Sequence, residues 1–167
     1  KIEDFIFLNG IFDFVDHFYK LNYKLIIITN QSGIGRGFYT LSDYNRVTKH
    51  MYDSFKIKGI KITKVYFCPH HPTNGVGFYK ADCTHRKPNP GMIYQALEDY
   101  NIDPAKSILV GDSLTDIQAG LDANIGNNFL LNIKNIQVNS KYKKYIDENN
   151  LHVCKKFSEI QAYMHNL

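Results

Sequence analysis

Three polar stretches hold the residues whose types and spacing suit chemistry, and each follows a short apolar run. They are TNQSGIGRG at 29–37, CPHHP to CTHRKP at 68–88, and GDSLTD at 111–116. Between them they carry hydroxyls, amides, glycine backbone, thiols, imidazoles, carboxylates and cationic side chains. Such groups bind phosphate oxygens and metal ions in proteins. The predicted chemistry is therefore phosphate and metal binding.

The first stretch is suited to an anion. The Thr29 hydroxyl, the Asn30 amide and the backbone N–H groups of a glycine-rich turn can all donate to a phosphate oxygen. Arg36 can pair with a second anionic group. A Walker loop is excluded, because no Gly-Lys-Ser/Thr follows. A plain strand-to-helix turn remains the alternative.

The stretch GDSLTD places two carboxylates one helical turn apart. Asp112 comes directly after an apolar run, and Asp116 follows four residues later, on the same side of a helix. Oxygen ligands of this kind suit Mg²⁺. The alternative is that Asp112 or Ser113 serves only as a helix N-cap.

Two short Cys/His pairs give the most specific local pattern. Cys68 with His70, and Cys83 with His85, fit a tetrahedral Cys₂His₂ zinc site that closes the loop 68–85. His71 is a spare imidazole that could replace His70. With four protein ligands the site would be closed, and hence structural. Two reduced cysteines with surface histidines are the alternative.

Two cations, Arg86 and Lys87, follow His85 directly. A zinc site on the preceding loop would fix their position. They could then hold phosphate and balance charge in a phosphoryl transition state. A solvated pair is the alternative. The third cysteine, Cys154, is predicted to be a small buried hydrophobe.

The elements that must position these residues follow from hydrophobic periodicity and end signals. Helices are predicted within 11–21, over 41–58 with Thr40 and Asp43 at its start, from Asn89 as cap to Tyr100, over 114–123, and from Ser158 with Gln161. Strands are predicted at 24–29, 62–67, 107–110 and 128–131, and the stretch 68–88 is expected to be irregular. Strands alternating with helices predict an α/β fold with a Rossmann-like doubly wound parallel sheet. The three polar stretches would then meet at the carboxyl ends of the strands.

Composition limits the class of protein. The 167 residues suit one domain, 1–167, and the net charge of +4 is mild, with KYKKY at 141–145 the only dense basic cluster. No nucleic-acid partner is predicted. No apolar run approaches the roughly 20 residues of a membrane span, so no membrane association is predicted. Three cysteines without a visible signal peptide favour a reducing cytoplasm. A monomer is expected.

Taken together, the motifs resemble a known family. Thr29-Asn30, Lys87, and Gly111-Asp112 with Asp116 resemble motifs two, three and four of the haloacid dehalogenase-like (HAD) phosphatases, from about Glu3 to about Leu131. TNQSGIGRG, CPHHP, RKPNPGM and GDSLTDIQAG are most similar to the branch that acts on D-glycero-D-manno-heptose 1,7-bisphosphate. The histidinol-phosphate phosphatases are the related branch and the alternative. The resemblance implies a Mg²⁺-dependent phosphatase acting on a small phosphorylated sugar.

The resemblance also implies roles for individual residues. Thr29 and Lys87 would bind the transferring phosphate, and Asp112 would ligate Mg²⁺. Zn²⁺ would be held by Cys68, His70, Cys83 and His85, the last of which stands where the family usually has Cys. The residues expected to contact substrate are Asn30, Gln31, Ser32, Gly33, Arg36, Arg86 and Asp116.

One family motif is not found in the 167 residues. The family forms an aspartyl phosphate on the first Asp of an Asp-x-Asp motif that ends a first strand, and its second Asp is the general acid/base. The tempting substitute, FIFLNGIFDF at 5–14, has Asn9-Gly10-Ile11 at that position and no carboxylate. We therefore expect the first strand and its nucleophile to lie upstream of Lys1. The alternative is a catalytically inactive phosphate-binding module.

Overall fold

The computed structural model describes residues 2–148 and 150–165, which form two compact units divided between Cys83 and Thr84. The first unit contains short 3₁₀ turns at Ile2–Asp4 and Gly77–Tyr79. Its helices and strands are α1 (Ile11–Lys20), β1 (Leu25–Asn30), α2 (Ser32–Gly35), α3 (Leu41–Ile57) and β2 (Ile62–Cys68).

The two strands of the first unit pair in parallel, so their carboxyl ends lie side by side. Thr29 is opposite Phe67 and Asn30 is opposite Cys68. The backbone N–H of Gln31 continues the ladder by donating to the Cys68 carbonyl at 2.8 Å. The first polar stretch and the first Cys/His pair therefore begin next to each other, as parallel pairing predicts.

Helix α3 begins where its end signals place it. Thr40 and Asp43 form a reciprocal capping box, in which each side chain accepts from the backbone N–H of the other residue. At its other end, buried Phe55 packs with Ile60 and Ile62 in a core cluster. A polar start and an apolar end thus fix α3 against the sheet.

The second unit is a three-stranded sheet with helices, and its strand order β3-β4-β5 is parallel throughout. Short 3₁₀ turns lie at Pro104–Lys106 and Ser140–Tyr142. The elements are α4 (Gly91–Tyr100), β3 (Ile108–Gly111), α5 (Leu114–Asp122), β4 (Asn127–Leu131), α6 (Lys143–Asp147), β5 (Leu151–Cys154) and α7 (Phe157–His165).

The core of the second unit lies around β4. Phe129 and Leu130 are fully buried, as are Ile117 of α5 and Ile160 of α7. Cys154 is buried at the end of β5, so its prediction as a small buried hydrophobe is confirmed. Successive side chains of a central parallel strand point to opposite faces of the sheet, and both faces are covered. This explains why the strand is a continuous apolar run in the sequence.

The predicted parallel α/β class is confirmed, and the main helices and strands lie within one or two residues of their predicted bounds. The predicted cap Asn89 is wrong. Helix α4 begins at Gly91, with Pro90 at its N-cap position, and the Asn89 N–H donates to the Arg86 carbonyl, which places Asn89 in the turn before the helix.

The last helix also differs, since it begins at Phe157 rather than after Ser158. The Glu159 carboxylate accepts from the Lys155 N–H at 3.0 Å and so closes its start. Three short elements, α2, α6 and β5, were not predicted. Segments of four or five residues carry too little periodicity to be recognised, and β5 depends on its pairing with β4.

No helix in the described part of the chain is both long and apolar enough to cross a membrane. The single domain 1–167 stays a prediction.

Candidate active site

Thr29, near the end of β1, lies in a short chain of hydrogen bonds within the first unit. The Gln31 side-chain Nε2 donates to Thr29 Oγ1 at 3.0 Å. The Tyr39 hydroxyl donates to Gln31 Oε1 at 2.6 Å. Both polar ends of the Gln31 amide are therefore used inside the protein, and the amide supports Thr29.

Tyr39 lies against the glycine-rich turn. A Cβ built on Gly33 would come within 2.1 Å of the Tyr39 ring, so only glycine leaves room for the tyrosine there. Burial raises the pKa of the Tyr39 hydroxyl, an effect partly opposed by a hydrogen bond from the Gly33 backbone. Sequence reasoning missed Tyr39, although its place two residues after the last glycine of the turn was a usable signal.

The remaining residues of the first stretch are placed differently. Ser32 begins the four-residue helix α2, and Asn30 ends β1. The Arg36 guanidinium lies 4.3 Å from the centre of the Phe38 ring, and Phe38 is largely exposed. A cation held by an exposed aromatic side chain can reach a solvent-borne anion. Substrate contact by these residues stays a prediction.

A cavity of about 880 Å³ within the first unit opens beside Thr29 and Gln31. Tyr39 and residues of α3, including Tyr44 and Arg46, line other parts of it. Its volume lies within the range of roughly 300–1,000 Å³ that is usual for small-molecule sites. The Thr29 region is thus accessible to a ligand the size of a phosphorylated sugar.

In the second unit, Asp112 follows β3 directly and pairs with Lys134. The Lys134 Nζ lies 2.7 Å from Asp112 Oδ2, and the two side chains are 71% and 55% exposed. The hydrogen bond to Asp112 raises the pKa of Lys134. Sequence reasoning missed Lys134, but its position just beyond the carboxyl end of the neighbouring strand β4 was a usable signal.

Asp116 is buried and uses both carboxylate oxygens. Oδ2 accepts from the backbone N–H and the hydroxyl of Ser113, in a capping box that starts α5. Oδ1 lies 2.5 Å from Lys87 Nζ. The cap interpretation is thereby confirmed for Ser113, and Asp112 is left outside the cap. Asp116 fixes Lys87, while its direct contact with substrate stays a prediction.

Three of the four predicted zinc ligands lie together in the first unit. The ligand atoms of Cys68, His70 and Cys83 are all within 4.8 Å of one another. Cys68 Sγ lies 3.7 Å from His70 Nδ1. That spacing suits a shared zinc ion, because tetrahedral bonds of about 2.3 Å to sulfur and 2.0–2.1 Å to nitrogen separate such a pair by about 3.6 Å.

His71, the spare imidazole of the sequence, is used otherwise. Its Nδ1 accepts from the backbone N–H of Asn74 at 3.0 Å and from that of Thr73 at 3.3 Å. This shapes the turn that follows, and His70 is the imidazole that groups with the two cysteines. His85 belongs to the second unit, where its Nδ1 lies 3.3 Å from Thr84 Oγ1. Its place as the fourth ligand stays a prediction, as do the roles of Arg86.

Comparison with known proteins gives a consistent result. Residues 78–130 match the family described as haloacid dehalogenase-like hydrolase. A D-glycero-alpha-D-manno-heptose-1,7-bisphosphate 7-phosphatase of Burkholderia mallei is 47% identical over 131 residues, which are 78% of this chain and 69% of that protein. The corresponding enzyme of Campylobacter jejuni is 44% identical over 79% of this chain and 72% of its own length. A D-glycero-beta-D-manno-heptose-1,7-bisphosphate 7-phosphatase of Haemophilus influenzae is 39% identical, over 78% and 71%.

Solved structures agree with the fold. D,D-heptose 1.7-bisphosphate phosphatase from B. bronchiseptica, complexed with magnesium and phosphate, superposes with a TM-score of 0.77 at 25% identity, over 99% of this chain and 87% of that one. A HAD-like protein from Mesorhizobium loti has a TM-score of 0.74 at 29% identity, and this chain covers 62% of its length. The order of the motifs, the parallel α/β architecture and these identities agree, and the chain belongs to the haloacid dehalogenase-like phosphatases, in the branch of the heptose-1,7-bisphosphate 7-phosphatases.

Proposed function

We propose that the protein hydrolyses the 7-phosphate of D-glycero-D-manno-heptose 1,7-bisphosphate, in a reaction that depends on Mg²⁺. The identity of 47% to an enzyme named for this reaction is the observation that carries the proposal. The proposal assigns phosphate binding to Thr29 in the first unit and to Lys87, which pairs with Asp116, in the second unit.

Two groups of this chain are assigned to the transferring phosphate. The Thr29 hydroxyl stands at the carboxyl end of β1, where parallel sheets bind ligands. Lys87 is held by Asp116, so its ammonium needs no reorganisation to meet the negative charge of the phosphoryl group. Preorganised charge of this kind is often the largest contribution to phosphoryl-transfer catalysis.

Asp112 fits the role of a Mg²⁺ ligand. Its carboxylate is a hard oxygen donor at the carboxyl end of β3, and its side chain is 55% exposed, so an ion can reach it. When bound, Mg²⁺ would offset charge on the phosphoryl oxygens. We assign no other Mg²⁺ contact within the described residues.

A structural zinc ion held by Cys68, His70 and Cys83, with His85 as fourth ligand, completes the proposal. Thiolates and imidazoles are the donors that Zn²⁺ prefers, and their present spacing needs little adjustment. Such a site would fix the loop that leads to Arg86 and Lys87.

The chemical step follows the family pattern. A carboxylate attacks the phosphorus, the bond from phosphorus to the sugar oxygen breaks, and that oxygen takes a proton from a general acid. Water then cleaves the aspartyl phosphate and releases inorganic phosphate. The Asp-x-Asp motif that performs both carboxylate roles in the family does not occur among these 167 residues, so the roles assigned here are binding and positioning.

The test uses protein expressed from the complete gene. Phosphate release is measured with Mg²⁺ on both anomers of heptose 1,7-bisphosphate and on histidinol phosphate, with EDTA as control. We expect release from a heptose bisphosphate that EDTA abolishes. Faster turnover of histidinol phosphate would move the protein to the related branch. Phosphosugar binding without any turnover would instead establish the inactive binding module. The cytoplasmic location and the monomeric state stay predictions.

A further inference from the structure

Two consecutive hydrogen bonds lead from Tyr39 to Thr29, and each donor points towards Thr29. None of the comparisons assigns a role to Tyr39, where this chain of bonds begins. The Tyr39 hydroxyl donates to Gln31 Oε1, and Gln31 Nε2 donates to Thr29 Oγ1. All three residues belong to the first unit.

The direction of the first bond is fixed by chemistry. An amide oxygen can only accept, so the Tyr39 hydroxyl must donate where it meets one. Gln31 Oε1, at 2.6 Å, is that acceptor.

This bond decides the orientation of the Gln31 amide. Because the carbonyl oxygen of the amide faces Tyr39, its Nε2 must face Thr29, where it donates across 3.0 Å. With the opposite orientation the Thr29 hydroxyl would donate to the amide oxygen, and its proton would be used inside the protein. Tyr39 thus selects one of two amide orientations that are nearly equal in shape.

The consequence falls on the Thr29 hydroxyl. An oxygen that already accepts a hydrogen bond from Gln31 has its own proton available for an outside acceptor. The hydroxyl borders a cavity of about 880 Å³, so such an acceptor can approach. A phosphate oxygen accepts only, which is the arrangement that this directed chain favours.

We propose that Tyr39 is a positioning residue, which acts through Gln31 to keep Thr29 as a hydrogen-bond donor to the substrate phosphate. The inference rests on the proposed function, since it needs Thr29 to contact that phosphate. Gly33 is required for this arrangement of hydrogen bonds, because any larger residue at position 33 would displace the Tyr39 ring.

The central variant is Tyr39→Phe, which keeps the ring and removes only the hydroxyl. Tyr94→Phe is the matched control, since it removes a hydroxyl that donates to the Asp122 carbonyl at 2.8 Å in the second unit. We expect Tyr39→Phe to lower kcat/KM for heptose bisphosphate about three- to tenfold, the range of one ordinary hydrogen bond, and Tyr94→Phe to leave it unchanged.

The Thr29 background separates positioning from general structural damage. In Thr29→Val, which has no hydroxyl, Tyr39→Phe is expected to cause no further loss. In Thr29→Ser, which keeps the hydroxyl, the full loss is expected to return. An equal loss in the Val and Ser backgrounds would overturn the proposal, because Tyr39 would then act independently of the hydroxyl.

A second measurement does not depend on activity. In protein labelled with ¹⁵N-glutamine, the Gln31 side-chain amide protons are expected to shift and to exchange faster with water in Tyr39→Phe than in Tyr94→Phe. An unchanged Gln31 signal would overturn the proposal even if turnover falls. Absence of turnover in the parent protein would overturn the proposed function, and with it the phosphate role of Tyr39, whatever the Gln31 signal does.

Discussion

Lys87 Nζ lies 2.5 Å from Asp116 Oδ1, and the two side chains are only 12% and 10% exposed. The second oxygen of the same carboxylate caps helix α5 through Ser113. One buried carboxylate therefore fixes both a candidate catalytic cation and the start of a helix. Removing one partner of a buried ion pair leaves an uncompensated charge in the protein interior. The loss of either side chain is therefore expected to destabilise the fold.

The first prediction removes the charge of Asp116. In Asp116→Asn, Lys87 stays buried without a carboxylate, and we expect the free energy of unfolding to fall by about 3–5 kcal/mol. Urea denaturation followed by circular dichroism measures the loss. Asp53→Asn is the control, because Asp53 pairs with Lys49 on an exposed face of α3, where solvent screens the pair, and its loss should cost much less stability. Equal losses in the two variants would contradict a special role for the buried pair.

The second prediction concerns the glycine that precedes Asp112. A Cβ on Gly111 would lie 2.2 Å from Asp116 Cβ, so Gly111→Ala must displace Asp116 and is expected to cost about 1–3 kcal/mol of stability. Gly37→Ala is the control, since Gly37 has φ +74° but open space, and only backbone strain of about 1 kcal/mol is expected. The loss in Gly111→Ala should shrink in an Asp116→Gly background, which removes the clashing Cβ, and simple additivity would contradict the packing argument.

The third prediction concerns zinc. Purified protein is expected to hold one zinc per chain by elemental analysis, and Cys68→Ala or Cys83→Ala to lose it. Cys154→Ala and His71→Ala are the controls. Cys154 lies in the second unit, and His71 Nδ1 is used by the backbone of the following turn. Zinc that persists in Cys68→Ala, or is absent from the parent, would remove the proposed site.

The fourth prediction follows from the start of α3. Hydrogen bonds from the Thr40 side chain and backbone lower the pKa of Asp43. A carboxyl whose pKa is lower in the folded state stabilises the fold at a pH above its unfolded value of about 4, and this contribution is lost as the pH falls through the folded value. Parent protein should therefore be more stable than Asp43→Asn at pH 7, and the difference should shrink as the pH falls below about 4 and through the lowered folded value. A difference that is constant with pH would show that the charge of Asp43 does not matter.

The fifth prediction concerns Lys134. Its ammonium lies beside the carboxylate to which we assign the metal, so it opposes a divalent cation there. Removing this positive charge removes a repulsion, so Lys134→Ala should bind the metal more tightly than the parent protein. Binding of Mn²⁺, followed by its electron paramagnetic resonance signal, measures this without turnover. Lys106→Ala is the control, because Lys106 pairs with Asp103 instead. Weaker or unchanged binding in Lys134→Ala would contradict the expected repulsion.

Local signals account for the features that the sequence predicted well. The capping boxes of Thr40 with Asp43 and of Ser113 with Asp116 join residues within one helical turn, and the buried strands are continuous apolar runs. The Cys68–His70 pair lies on one short turn, so its spacing is visible in the sequence as well. The predicted caps at Asn89 and Ser158 failed because Asn89 lies one residue before the N-cap of α4 and Ser158 lies inside α7, and a local residue pattern does not fix a helix end to one residue.

The amino-acid sequence by itself determined the alternation of strands and helices, the Thr40–Asp43 cap and the motifs of the family, because each depends on neighbours in the chain or on residue type alone. The tertiary structure decided the partners. The pairing of Lys87 with Asp116, and that of Lys134 with Asp112 across 22 residues, depends on which strand ends lie side by side. Likewise, Tyr39 reaches Gln31 only because the turn between them folds back over Gly33. Strand register and turn geometry set these distances, and they arise only when the chain packs.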